Sequence, residues 1–170
     1  ALVADFSPLK IHREWKDKVS GRIGTAFIEI DSHNIVPCRI ASGKQEFSAR
    51  TLRPKIHRLL PEFLTPVPAV RPHPFPWPVK TGKNDFKMLY GTIKVDKSGG
   101  KLRWLKSGEE EASKMLRNFI KVKLDGYGAD RNNPDKDGQS NLSPYIHFGQ
   151  ISAQRIALEI ERAGRDMEST

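Results

Sequence analysis

Apolar residues along this chain change their spacing twice, and the changes divide it into three parts. In the first 65 positions, short apolar runs alternate with helical patterns. Leu2-Val3-Ala4 and Ala26-Phe27-Ile28-Glu29-Ile30 have the length and content of buried strands. Between them Leu9, His12, Trp15 and Val19 recur at spacings of three to four. That period predicts a helix packing one face inward, started by Ser7 as cap and Pro8 as first residue. A second helix is expected from Pro54, with Ile56, Leu59, Leu60 and Phe63 on its apolar side. Strands alternating with helices favour a parallel sheet with right-handed crossovers.

The periodicity lapses between residues 66 and 106. Six of the twelve prolines fall between Pro66 and Pro78, a density that forbids helix and suits a stiff, extended connector. Phe75 and Trp77 within it read as packing residues. The stretch Thr81–Lys101 is lysine-rich and punctuated by glycine, which predicts a hairpin or disorder.

From residue 107 a helical period returns. Ser107-Gly108-Glu109-Glu110 fits a capping box. Ala112, Met115, Leu116, Phe119 and Ile120 follow a core-facing pattern that should run to about Tyr127. Residues 128–142 form a polar loop with turn signals at Asn133-Pro134 and Asp137-Gly138. A short helix should start with Ser143 as cap and Pro144 as first residue. Ser152 should cap another, with Ala153, Ile156, Ala157 and Ile160 on one face.

Charge narrows the partners. A net charge of +9 and a pI near 9.8 favour a polyanion, because clustered Lys and Arg displace counterions from phosphates. The lone cysteine, Cys38, excludes an internal disulfide and a multi-cysteine zinc site, and reads as a buried thiol in a reducing compartment. No apolar run approaches the ~20 residues a bilayer span needs. A soluble intracellular protein is expected, with no membrane contact and no evident protein partner.

Chemistry concentrates in Gln139-Ser140-Asn141-Leu142-Ser143-Pro144. Unpaired N–H groups at a helix start sit at the positive end of its dipole, and Ser140, Asn141 and Ser143 add donors beside it. A phosphate or diphosphate suits that cluster; a capped structural helix is the competing reading. Arg131, among Asp130, Asp135 and Asp137, reads as solvated loop charge or as a contact to a phosphate or DNA backbone. His147 reads as structural. Asp5, Asp31, His33 and Asn34 at the strand ends read as turn and capping residues. No Ser-His-Asp order, metal-ligand cluster or P-loop is present, so no catalytic or metal residue is assigned.

Several of these blocks carry a family likeness. Ser140-Asn141-Leu142-Ser143-Pro144-Tyr145-Ile146-His147-Phe148-Gly149-Gln150-Ile151-Ser152 resembles the flavin-phosphate stretch of class II cyclobutane pyrimidine dimer DNA photolyases. Residues 127–139, with Tyr127, Arg131 and Pro134, fit the same pattern. So do Leu2–Leu9 with Trp15-Lys16, and Asp31–Cys38. The likeness covers roughly residues 1–68 and 103–163 and is weak or absent between them. It implies that the chain is an internal piece of a longer protein. Residues 1–65 would be the last part of an α/β Rossmann-like, antenna-type domain. Residues 66–106 would be a Pro-rich and Lys/Gly-rich connector, and residues 107–170 the beginning of an all-α FAD-binding domain.

The resemblance also implies chemistry. FAD would set its diphosphate on the serine motif, touched by Tyr127, Gln139, Ser140, Asn141, Leu142 and Ser143, with Arg131 a candidate DNA contact. Reduced FAD, excited by light, would donate an electron to a flipped-out pyrimidine dimer in DNA. Trp15, Trp77 and Trp104 do not match the family's electron relay, and no antenna chromophore is assigned. The residues present supply the phosphate anchor alone, so this chain by itself is expected to be inactive. A eukaryotic source would place it in the nucleus or an organelle. A cryptochrome-like flavoprotein without repair activity and an inactive basic DNA-binding fragment are the alternatives.

Overall fold

The computed structural model describes residues 1–72, 74–75, 82, 85–94, 96, 98, 100 and 102–164. Trp77 and about a third of the stretch from Thr81 to Lys101 lie outside the described residues. The chain forms two units: Ala1–Val67 with Ser107–Thr170, and Pro68–Lys106.

The first unit opens with strand β1 (Leu2–Asp5), helix α1 (Lys10–Ser20) and strand β2 (Phe27–Ile30). The strands pair in parallel, with Leu2 opposite Phe27 and Asp5 opposite Ile30. Ser7 and Pro8 do not form the expected cap and first residue. Leu9 occupies the N-cap, and the Ser7 hydroxyl is engaged instead with His12 Nδ1 at 2.8 Å. The apolar face of α1 is not turned inward either: Leu9 is 57% exposed and Trp15 55%. Two strands make too narrow a surface to cover a helix face, and Val3 and Ile30 are themselves exposed.

Two helices follow, α2 (Cys38–Ala41) and α3 (Ala49–Phe63). Helix α3 begins five residues before Pro54, behind Ser48. A proline removes only its own N–H and its φ is already helical, so Pro54 and Pro61 each withdraw one donor without ending the helix. Ile56, Leu59, Leu60 and Phe63 are half-buried. Cys38, expected to be buried, is exposed at the start of α2, because its backbone N–H is drawn to the Asp31 carboxylate at 2.8 Å.

Helix α4 (Phe86–Thr92) belongs to the second unit. It stands where a hairpin or disorder was expected. Asp85 supplies a cap by accepting from the Met88 N–H at 3.0 Å, enough to start a turn that the flanking glycines obscure in the sequence.

The remainder of the first unit is helical: α5 (Glu109–Asn118), a π-helical turn (Phe119–Lys123), α6 (Tyr127–Asp130), α7 (Ser143–His147) and α8 (Ala153–Arg162). The capping box at Ser107 does not form. Gly108 holds the N-cap with φ 117°, and its N–H donates to Gln150 Oε1 at 2.7 Å. The single helix expected to reach Tyr127 widens at the π turn, where the Leu124 N–H donates to the Phe119 carbonyl at 3.0 Å. Ala112, Leu116, Phe119, Leu124, Leu142, Tyr145, Ile151, Ala157 and Leu158 form the buried core of these helices. Gln154 Nε2 donates to the Thr65 carbonyl at 2.6 Å, linking α8 to the end of α3.

Candidate functional site

The polar loop after α6 is folded back on itself by its own residues. At Asn133-Pro134 the Lys136 N–H donates to the Asn133 carbonyl at 3.2 Å, a turn with proline in its favoured second place. The Asn133 side chain accepts from the Asp135 N–H at 3.0 Å, and Lys136 Nζ reaches Asp130 Oδ1 at 2.6 Å. Gly138 is buried against the Asp130 backbone. Lys123, from the π turn, holds the loop from the other side: its ammonium lies 2.7 Å from Asp137 Oδ1 and donates to the Gln139 carbonyl at 3.2 Å. These ties return residues 139–143 to the side of Phe119 and Tyr127.

The motif then reverses sharply. Asn141 has φ 56°, a left-handed conformation that asparagine tolerates better than most residues. The Ser140 hydroxyl accepts from the Leu142 N–H at 3.4 Å, and Leu142 drops into the core at 3% exposure. Leu142 is the N-cap of α7, so Ser143 and Pro144 are its first two residues. Ser143 is therefore not the cap, and its hydroxyl is left exposed rather than spent on the helix.

Tyr127, Ser140, Leu142 and Ser143 line one cleft of about 280 Å3, whose other walls are Phe119, Ile146, Ile156 and Ile160. The Phe119 ring meets Tyr127 edge-on, with centroids 5.1 Å apart. Arg131 is not a lining residue; its guanidinium stands 5.7 Å from the centroid of the Tyr127 ring, a cation–π distance. Gln139 and Asn141 do not line the cleft. The Gln139 side-chain amide donates to the Arg131 carbonyl, so this residue pins the loop, while Asn141 makes the reversal. His147 is exposed, its ring edge-on to Phe148.

Sequence reasoning assigned no role to Lys123 and took Phe119 for core alone. Phe119 carried the period of a core residue and is one. Lys123 carried no signal, because its partners Asp137 and Gln139 are distant in sequence.

The residues present fit part of a dinucleotide. Two hydroxyls and the Ser143 N–H at the start of α7 supply phosphate donors beside an aromatic and aliphatic wall. A cleft of about 280 Å3 falls below the ~300–1,000 Å3 of sites that enclose a whole drug-sized ligand.

At the other end of the first unit, the strand-end residues organise turns. Burial raises the Asp31 carboxyl, but hydrogen bonds from the Cys38 N–H and from Asn34 outweigh it and lower it below the ordinary carboxylate value. The Cys38 thiol is pushed up by partial desolvation and by the Asp31 charge, which opposes a reactive thiolate. Among the described residues no group of three or more His, Cys, Asp or Glu could hold a metal ion. No helix among them is long and apolar enough to cross a membrane.

Comparison with known proteins gives relatives that share one name, deoxyribodipyrimidine photo-lyase. That of Potorous tridactylus is 45% identical over 163 residues, covering 95% of this chain and 31% of the relative. That of Arabidopsis thaliana is 42% identical over 174 residues, covering 95% of this chain and 34% of the relative. That of Methanothermobacter thermautotrophicus is 33% identical over 172 residues, covering 96% and 36%. No protein-family model matches the chain. The chain spans about a third of the length of the curated relatives it matches, and over that span it is similar to proteins that all carry the name deoxyribodipyrimidine photo-lyase.

Proposed function

We propose that this chain forms part of a light-driven DNA-repair flavoenzyme of the class II type, acting on cyclobutane pyrimidine dimers. One observation carries the reading: in a chain 45% identical to a photo-lyase, Tyr127, Ser140, Leu142 and Ser143 converge on one cleft.

The Ser140 and Ser143 hydroxyls, with the Ser143 N–H at the start of α7, hold the diphosphate of FAD. The Tyr127 and Phe119 rings wall the cleft and exclude water, and Arg131 over the Tyr127 face adds positive potential. Gln139 and Asn141 act through the backbone, fixing where the two serines stand. FAD, when bound and reduced, supplies the photoexcited electron that opens the dimer. In this reading residues 1–65 belong to a Rossmann-like, antenna-type α/β domain. Residues 66–106 are the connector, and residues 107–170 open the all-α flavin domain. The net charge of +9 suits a DNA partner, inside the cell and, in a eukaryote, in the nucleus or an organelle.

The test is repair. DNA carrying cyclobutane dimers is illuminated with blue light in the presence of the longest form of the protein and FAD. Loss of dimers under light but not in darkness is expected. Flavin retention without any repair would instead place the protein with cryptochrome-like flavoproteins.

A further inference from the structure

Outside the serine cleft, the ion pairs of α5 and α8 among the described residues leave two arginines over, along with Glu109, Glu110 and Glu161. On α5, Lys114 is 2.6 Å from Glu111; on α8, Arg162 is 2.7 Å from Glu159. Arg117 and Arg155 make no hydrogen bond or ion pair through their side chains among the described residues. Both are exposed, and both line a cleft of about 180 Å3. Its walls are Ser113 and Arg117, one turn apart on α5, and Arg155 and Glu159, one turn apart on α8; Leu116 and Ile120 make the apolar floor. The first-turn acids Glu109 and Glu110 open onto an adjoining concavity with Ser113 and Arg117, yet neither makes an ion pair with Arg117. This cleft shares no lining residue with the one at Tyr127 and Ser143.

We propose that Arg117, Arg155 and Ser113 form a second oxyanion site that takes a phosphate group. The carboxylate on this surface, Glu159, is already paired with Arg162, so the two guanidinium groups repel each other unless a further anion joins them. Their forked N–H donors match phosphate oxygens in pairs. The Ser113 hydroxyl adds a further donor, and the apolar floor lowers the local dielectric and strengthens the attraction. The phosphate comes either from a nucleic-acid backbone or from a free phosphate compound. The site does not depend on the flavin reading.

The experiment is a titration of the whole chain with inorganic phosphate, followed by amide chemical shifts. It compares the native protein with Arg117→Gln, Arg155→Gln and their double variant. Arg53→Gln, an exposed arginine on α3 that does not line the cleft, is the control. Saturable shifts at Ser113, Arg117 and Arg155 are expected, with affinity at least tenfold weaker in the double variant and unchanged in the control. Absence of saturable shifts at these residues, or equal affinity in the double variant, overturns the proposal. A salt titration of binding to undamaged duplex DNA then identifies the source. A slope reduced by about two in the double variant points to backbone phosphates. An unchanged slope with phosphate binding lost points to a free phosphate compound. All variants should retain flavin as the native chain does, so failure here is separate from failure of the serine cleft.

Discussion

Gly138 lies so close to Asp130 that a Cβ on it would stand 2.6 Å from both the carbonyl carbon and the carbonyl oxygen of Asp130. Gly138 is not among the glycines with positive φ. Glycine is needed here for approach, not for an unusual backbone. The contact closes the loop that returns Ser140 and Ser143 to Tyr127.

Gly138→Ala should therefore lower stability by about 1–3 kcal/mol, the usual cost of overpacking against atoms that cannot swing aside. Urea unfolding measures it. Flavin retention should fall with it, since the serines depend on the same loop. Unchanged stability would mean that the loop and α6 separate freely.

Asn141 gives a second backbone test. At φ 56°, a side chain with Cβ branching is strained. Asn141→Val should cost about 1–2 kcal/mol, while Asn141→Gly should fall within about 0.5 kcal/mol of the native chain. Equal losses in the two variants would show that the asparagine side chain, rather than its conformation, matters.

What the sequence made legible was periodic or local. The strands at Leu2 and Phe27, the helix through Leu116, and the Ser152 cap, which accepts from the Arg155 N–H at 3.1 Å, all follow from spacing and short-range chemistry. Ser107 and Ser143 failed as caps because distant or neighbouring groups took over: Gln150 binds the Gly108 N–H, and Leu142 holds the N-cap of α7. The π turn at Phe119 was illegible, since adding one residue per turn leaves the apolar pattern almost unchanged. At the site, residue types pointed to Ser140 and Ser143, but only the geometry separates them from Gln139 and Asn141. No local pattern announces that a glutamine will bind a carbonyl eight residues earlier.

The Glu46 carboxyl is held at about 2, below its ordinary 4.5, first by Lys55 and then by the Ser42 and Thr51 hydroxyls. A depressed carboxyl contributes its stability in full above 4.5 and loses it as pH falls towards 2. Acid titration of the segment from Ser42 to Lys55 should show a loss of structure in that window. Glu46→Gln should flatten it, and added salt should weaken it in the native chain. A profile identical in Glu46→Gln would remove Glu46 from the account.

Lys123→Met keeps the methylene stem but removes the ammonium that meets Asp137 and the Gln139 carbonyl. Asp137 is largely exposed, so the cost to global stability should stay below about 1 kcal/mol. Local opening should be more sensitive. Amide exchange across residues 137–142 should quicken severalfold, and unaltered exchange would show that the loop holds without Lys123.

Retention of FAD tests the central claim most directly. The protein is mixed with FAD and desalted, and its absorption spectrum is recorded beside those of Ser140→Ala and Ser143→Ala. The cleft account predicts bound flavin in the native protein and clearly less in each variant, with folding intact by circular dichroism. Full retention in both variants would contradict it, because the phosphate would then be held without the two hydroxyls that define the site.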